Sequence, residues 1–296
     1  YVKGIEDFVP SSQYRTSEHQ NKVAEDICEN FLTLSHGGKF HAIFATSSIP
    51  EAIAYYNLLK QANSALKVTC LFDPTIDNDG GHAIKEDALV EIITDYNQRY
   101  DQKFEMKTFA GLKKDIALRL AHKEQYKMVE RTPGMQIDLL IVVDQMLTGF
   151  DSKWVNTLYM DKKMQYESII QAFSRTNRLF GSDKPFGTIR YYRKPHTMEQ
   201  YIEAAVKLYS GDKPIGLFVP KLEQNLNRLN DIFKEIAKLF GGKESASFEK
   251  LPDDPAERGK FASLFKELND YLEAATIQGF RFDKLTYEFA HGQNEP

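Results

Sequence analysis

No apolar run in this 296-residue sequence is long enough to cross a bilayer, and it holds only two cysteines and one tryptophan. A helical membrane span needs about 20 consecutive apolar residues, so that class is excluded. The opening residues, Tyr1-Val-Lys-Gly-Ile-Glu, do not have the make-up of a secretory signal. Cys28 falls in a helix-like stretch and Cys70 in a strand-like one, without zinc spacing. They read as buried thiols of a reducing cytoplasm. No histidine or cysteine constellation points to a metal. Excess positive charge is also lacking, with 38 Lys and Arg against 42 Asp and Glu and a net charge of −4. A freestanding, indiscriminate nucleic-acid binder is thereby disfavoured, and any DNA contact has to come from a local patch or a larger assembly. There is no GxxxxGK[ST] phosphate loop. There is no paired acidic box either, since Val143-Asp144 lacks the second acid, and no recognisable carboxylate-and-lysine nuclease cluster. The chain does not begin with methionine and is expected to be a piece of a longer protein.

What is present describes an ordinary soluble chain, 42% hydrophobic and 27% charged, with room for one large and one small domain. The first part alternates helix and strand. Val23, Ile27, Phe31 and Leu32 form a helical stripe within Glu18–Leu34. His41–Thr46 is a short apolar strand. Ser47-Ser48-Ile-Pro50 supplies a capping hydroxyl and an early proline for a helix over Glu51–Gln61. Leu66–Phe72 is a second strand, Asp73–Gly81 a loop, and Ile84–Tyr100 and Leu112–Lys123 are helices. Ile137–Val143 is the strongest strand, apolar enough to be buried on both faces. Thr157–Met160 and Thr188–Tyr192 follow as strands, with a helix over Gln165–Thr176 between them. Strands separated by helices predict an α/β fold with a parallel, doubly wound sheet. Beyond about Ile215 only amphipathic helices remain, Lys221–Phe240 and Glu257–Ala275, joined by the polar stretch Gly241–Pro255. The expected domains are therefore 1–215 and an all-α region at 216–296, with a disordered tail over His291–Pro296.

Two short segments carry chemistry. The buried strand runs into Asp144-Gln-Met-Leu-Thr148-Gly149-Phe150-Asp151, and in open α/β sheets ligands sit beyond the carboxyl ends of strands. Thr148 offers a hydroxyl, Gly149 allows close backbone approach, and Asp151 can accept hydrogen bonds from a ribose. Alone, this is equally a glycine turn with an aspartate cap. The second segment is Gln171-Ala-Phe-Ser-Arg175-Thr-Asn-Arg178. Its glutamine and two arginines fit one face of a short helix and can bring two permanent positive charges to a phosphoryl group. From Arg175 to Lys194, Arg175, Arg178, Lys184, Arg190, Arg193 and Lys194 face Asp183 alone. That excess is a candidate basic patch, or for its last four members a solvated surface. Thr46, Ser47 and Ser48, at a helix start, are placed to hold DNA phosphates without reading sequence, or simply to cap the helix. Trp154 and Phe150 are expected to pack, and His41 and His196 to be satisfied or solvent-facing.

In this order, TGxD and QxxxRxxR resemble motifs V and VI of superfamily 2 helicases. The longer phrase is narrower: Leu139-Leu-Ile-Val-Val-Asp-Gln-Met-Leu-Thr-Gly-Phe-Asp151, Leu158-Tyr-Met-Asp-Lys162, and Ile170-Gln-Ala-Phe-Ser-Arg-Thr-Asn-Arg178. It resembles the R subunit of type I restriction-modification enzymes over about Phe40–Tyr209. Ser174 and Thr176-Asn177 favour that subunit over generic helicases. His41–Tyr56 is similar to motif IV, with Ile49-Pro50 in place of a basic-acidic pair. The resemblance implies a RecA-like second motor domain followed by a helical domain. It implies Arg178 as an arginine finger and Arg175 as a second γ-phosphate contact. Gln171 would order the closed interface and the attacking water, and Gly149 and Asp151 would meet the ribose and phosphate side of ATP. Thr148 is left to either ATP or the DNA backbone. ATP and Mg2+ belong to the intact subunit, with none held by this chain alone. The implied partners are double-stranded DNA, the modification and specificity subunits, and an N-terminal nuclease and first RecA-like domain of the same subunit. Two other readings stand beside it. One is a helical module docking on the modification subunits through Leu222, Leu226, Leu229, Phe233 and Ile236, and the other a generic superfamily 2 helicase or repair factor.

Overall fold

A computed structural model describes residues 2–73, 82–143, 152–164, 167–173, 176, 184, 187–210, 222–241, 248, 250–284 and 286–287. The chain divides into two compact units, Tyr1–Pro214 and Ile215–Pro296.

The first unit is built on five parallel strands: β1 (His41–Thr46), β2 (Val68–Leu71), β3 (Leu139–Val142), β4 (Val155–Asp161) and β5 (Thr188–Tyr191). Their order across the sheet is β2-β3-β1-β4-β5. β1 lies at the centre, with Ala42 paired to Leu139 on one side and to Thr157 on the other. Every residue of β1, β3 and β4 is buried, which explains the near-continuous apolar runs of β1 and β3. The helices α1 (Val2–Phe8), α2 (Ser17–Leu34), α3 (Ile49–Ala62), α4 (His82–Tyr100), α5 (Phe109–Ala121), α6 (Glu167–Phe173) and α7 (Pro195–Ser210) belong to the same unit. The fold is the expected α/β class.

Local sequence explains most of these helices. Thr16 caps α2 through its side chain, and Val23, Ile27, Phe31 and Leu34 are buried along one face. Ser48 caps α3 by accepting from the Glu51 amide at 3.4 Å, with Pro50 in the first turn. The short α1 and the longer α7 were not expected from sequence. α7 follows Lys194, whose φ of 47° is left-handed, and no capping side chain stands before it in sequence. Its cap comes from far away. Glu6 of α1 accepts from the His196 amide at 2.9 Å and from the Thr197 amide and hydroxyl at 2.8 and 2.7 Å. Burial raises the Glu6 pKa, but these bonds outweigh it and hold the carboxyl below its ordinary value.

At the amino end of the sheet, His41 is fully enclosed. Its Nδ1 lies 2.6 Å from the Ile137 carbonyl and its Nε2 2.8 Å from His122 Nε2. The carbonyl only accepts, so His41 Nδ1 carries the hydrogen and, in the neutral ring, Nε2 accepts from His122. Trp154 stacks on His122 with ring centroids 3.8 Å apart, a packing role as expected. His41 is satisfied, also as expected. Burial first, then the neighbouring His122, pushes its pKa from 6.5 to about 3. The unfolded chain therefore binds a proton that the folded chain refuses. The associated stability is complete above pH 6.5 and is lost progressively as pH falls from there toward 3. Urea titrations followed by the single tryptophan should give a lower midpoint at about pH 5 than at about pH 7.5, and a smaller drop in His41→Gln.

The second unit contains α8 (Leu222–Leu239) and α9 (Pro255–Ile277), with Asp254 capping α9 ahead of Pro255. Ile232, Ile236 and Leu264 form its core, flanked by Leu239, Phe240, Phe261, Leu268 and Tyr271. Arg228 donates to Glu267 at 2.7 Å across the pair. The stripe read from sequence is rotated here: Ile236 is central, but Phe233 is 53% exposed and Ile232 takes the inner place. Among the described residues, no helix is long and apolar enough to cross a membrane.

Candidate functional site

Parallel pairing brings the carboxyl ends of β1, β3 and β4 to one edge of the sheet. At that edge Thr46 closes β1. Its hydroxyl is fully buried, 3.3 Å from the Val142 carbonyl and 3.4 Å from that of Ser48. Ser47 is half-buried. Its hydroxyl donates to the Asp161 carbonyl at 3.2 Å and its amide to Glu51 Oε2 at 3.3 Å. These two side chains therefore stitch β1 to its neighbours β3 and β4. Lys162, just after β4, donates to the Val143 carbonyl at 3.3 Å. That bond fixes the last described residue before the Asp144–Asp151 segment.

Beneath the edge lies a buried ionic network that sequence reading missed. Asp161 is fully buried. Its Oδ1 accepts from Arg193 Nε at 2.8 Å and His19 Nε2 at 2.9 Å. Its Oδ2 accepts from the Tyr55 hydroxyl at 2.7 Å and Arg193 Nη2 at 3.0 Å. Arg193 Nη2 also donates to Glu51 Oε2 at 2.7 Å. Burial alone would raise the Asp161 pKa, but the bonds from His19, Arg193 and Tyr55 prevail and keep it ionised. One guanidinium thus ties the end of β4 to the first turn of α3, beside Ser47. The fork geometry of arginine suits it to two carboxylates at once. The partners lie on four separate segments, so no local spacing could have announced them.

The basic run toward Lys194 takes a different place from either expectation. Lys184 is fully buried and donates to the carbonyls of Lys153 and Val155 at 3.2 and 2.7 Å. Arg190 reaches both oxygens of Asp26, at 2.7 and 2.8 Å. Arg193 is in the network just described. Three of its last four members are therefore neither a solvated surface nor free for DNA, because each has found acceptors inside the fold. Net positive charge along a sequence segment says nothing of acids folded onto it from elsewhere.

Gln171 is half-buried on α6, between the fully buried Ile169 and Ala172. Thr176 is buried. Thr148, Gly149, Asp151, Arg175 and Arg178 lie outside the described residues. Among the described residues, no three His, Cys, Asp or Glu side chains are grouped to hold a metal ion.

The family described as "Type I restriction enzyme subunit R domain 3" matches residues 38–194, more than half of the chain. The chain belongs to the type I restriction enzyme R-subunit family. A second match, "Type I restriction and modification enzyme - subunit R C terminal", covers residues 217–294. Among curated relatives, the endonuclease subunit of a type I restriction enzyme from Staphylococcus aureus (strain COL) is 33% identical over 226 residues, covering 73% of this chain and 23% of that subunit. A counterpart from Staphylococcus saprophyticus is 36% identical over 197 residues, covering 64% of this chain and 20% of its own. The HindI endonuclease subunit of Haemophilus influenzae is 38% identical over 123 residues, 40% of this chain and 11% of that subunit. The chain thus spans about a quarter or less of the R-family subunits it matches. Both units carry an R-subunit match, which separates this chain from a generic superfamily 2 helicase.

Proposed function

We propose that the chain is the second motor domain and helical domain of an R subunit, and that it supplies the arginine side of a shared ATP site. In that reading a nucleotide held by a first RecA-like domain is closed over by this one, with Mg2+ accompanying the ATP. Water attacks the γ-phosphorus, the bond to the β–γ bridging oxygen breaks, and ADP and phosphate leave. Arg178 stabilises charge on the transferring phosphoryl group, Arg175 makes a second contact to it, and Gln171 orders the water. Gly149 and Asp151 meet ribose and phosphate, and Thr148 faces either ATP or the DNA backbone. Thr46 turns inward in this structure, so a phosphate contact from the first strand's end would fall to Ser47 and its half-buried turn. Hydrolysis would move double-stranded DNA past a complex with the modification and specificity subunits until an N-terminal nuclease cuts it.

The observation that carries this reading is the joint order of parts. The segments Asp144–Asp151 and Gln171–Arg178 follow β3 and β4, strands flanking the central β1, in a chain of the R-subunit family. A site shared between domains is silent in one of them. The isolated chain is therefore expected to hydrolyse no ATP above a buffer blank, with or without double-stranded DNA. Turnover well above blank would show that the site is complete here, contrary to the proposal.

A further inference from the structure

Gly187 stands directly before β5, and Thr176 stands between Arg175 and Arg178 in sequence. Their backbones are in contact. A Cβ added to Gly187 would lie 2.3 Å from the Thr176 carbonyl oxygen, 2.6 Å from its carbonyl carbon and 2.6 Å from its Cβ. Two of those three atoms are backbone and the third is bonded to it, so none can swing aside as a flexible side-chain tip would. Gly187 has no positive φ. Room, not a left-handed backbone, is what requires glycine here. Thr176 itself is 2% exposed and has little space to retreat into.

A second anchor lies further along. Lys184 is fully buried and its ammonium donates to the Lys153 and Val155 carbonyls, at the start of β4. Arg178 falls between Thr176 and Lys184 in sequence. The stretch that carries it is therefore held on one side by the Thr176–Gly187 contact and on the other by Lys184. A buried ammonium bound to two carbonyls is costly to displace, since it would leave acceptors unmatched.

We infer that Gly187 is a positioning residue for the arginine-bearing segment: its missing side chain sets how closely Thr176, and the arginines beside it, seat against the start of β5. The inference rests on the proposed role of Arg178 in ATP hydrolysis. A displacement of about 1 Å in a group that must meet a transferring phosphoryl costs on the order of 10²-fold in rate. It acts on the transition state and not on ground-state binding.

The test uses the intact R subunit in its assembled complex, with DNA-stimulated ATP hydrolysis as the readout. Gly187→Ala is expected to lower kcat by about tenfold or more and to leave KM for ATP within about threefold. The double variant Gly187→Ala/Arg178→Ala should be no slower than Arg178→Ala alone, because the glycine acts through the arginine. A Gly187→Ala enzyme with kcat within about twofold of the parent would overturn the inference, as would losses that multiply in the double variant. If Arg178→Ala itself keeps its kcat, the proposed site is what fails. Should Gly187→Ala not assemble, Lys184→Met loosens the other anchor and is expected to give the same loss in kcat at retained KM. Unchanged kcat in that variant counts against the pinned segment.

Discussion

Alanine at Arg178 in the intact R subunit is expected to lower ATP turnover by about 10³-fold or more, with ATP still bound. A dissociative phosphoryl transfer leaves little covalent work to a protein, and the rate is set by charge placed around the γ-phosphoryl group. A guanidinium supplies that charge without a proton to lose and in a planar fork that matches phosphate oxygens. Lysine at the same position would keep the charge but not the fork, so Arg178→Lys should recover little. Because the contact forms only as charge develops, kcat and kcat/KM should fall together while ATP affinity changes little. Translocation should stop with hydrolysis, and DNA binding should persist. Full ATPase and translocation in Arg178→Ala, with DNA binding unchanged, would reject the assignment.

Removing Arg193 should have the largest effect on folding, about 3–5 kcal/mol. Its guanidinium meets Asp161 through Nε and Nη2 and Glu51 through Nη2, with both carboxylates almost wholly enclosed. Arg193→Ala leaves Asp161 with only the His19 and Tyr55 bonds, a buried charge that is half compensated. Arg193→Lys should recover only part, because one ammonium cannot present the same fork to two carboxylates. The sign of the pH effect follows from Asp161, whose folded pKa lies below its ordinary value of 3.8. Its contribution is present above that value and fades as pH falls through the lower, folded one. The gap between parent and Arg193→Ala should therefore be widest near neutrality and narrow in acid. Trp154, the sole tryptophan, lies in the α/β unit, so its fluorescence in urea reports on that unit without the helical one. An unchanged midpoint at pH 7 would mean that the network contributes nothing net.

Much of the fold was legible because it is written in local periodicity. The apolar stretches of β1 and β3, the stripe Val23-Ile27-Phe31 and the Ser48-Pro50 start of α3 each carry their own signal within a few residues. α7 escaped notice for the opposite reason: its cap is Glu6, far upstream in the chain, and a distant carboxylate leaves no trace beside Pro195. The candidate site divides in the same way. Gln171, Arg175 and Arg178 stand out by spacing, and Thr148, Gly149 and Asp151 by following a buried strand. Asp161, Glu51 and Arg193 are ordinary polar residues in sequence and become a network only when β1, β4 and α3 meet. Arg190 and Lys184 looked like surface charge because Asp26 and the Lys153 and Val155 carbonyls lie out of sight of a local window. Gly187 gave no signal, since its role is an absence of atoms at one crowded point.

The family match on the first unit opens at residue 38, but its polar framework opens earlier. Glu6 holds the first amides of α7, His19 bonds Asp161, and Asp26 receives both Arg190 and the Tyr192 hydroxyl. The helices ahead of the match are thus the hull of the sheet, not a gangway leading to it. Anyone trimming, swapping or grafting this motor by its homology border would cut through live ion pairs at the β4–β5 side. A seam placed ahead of Glu6 would leave them whole.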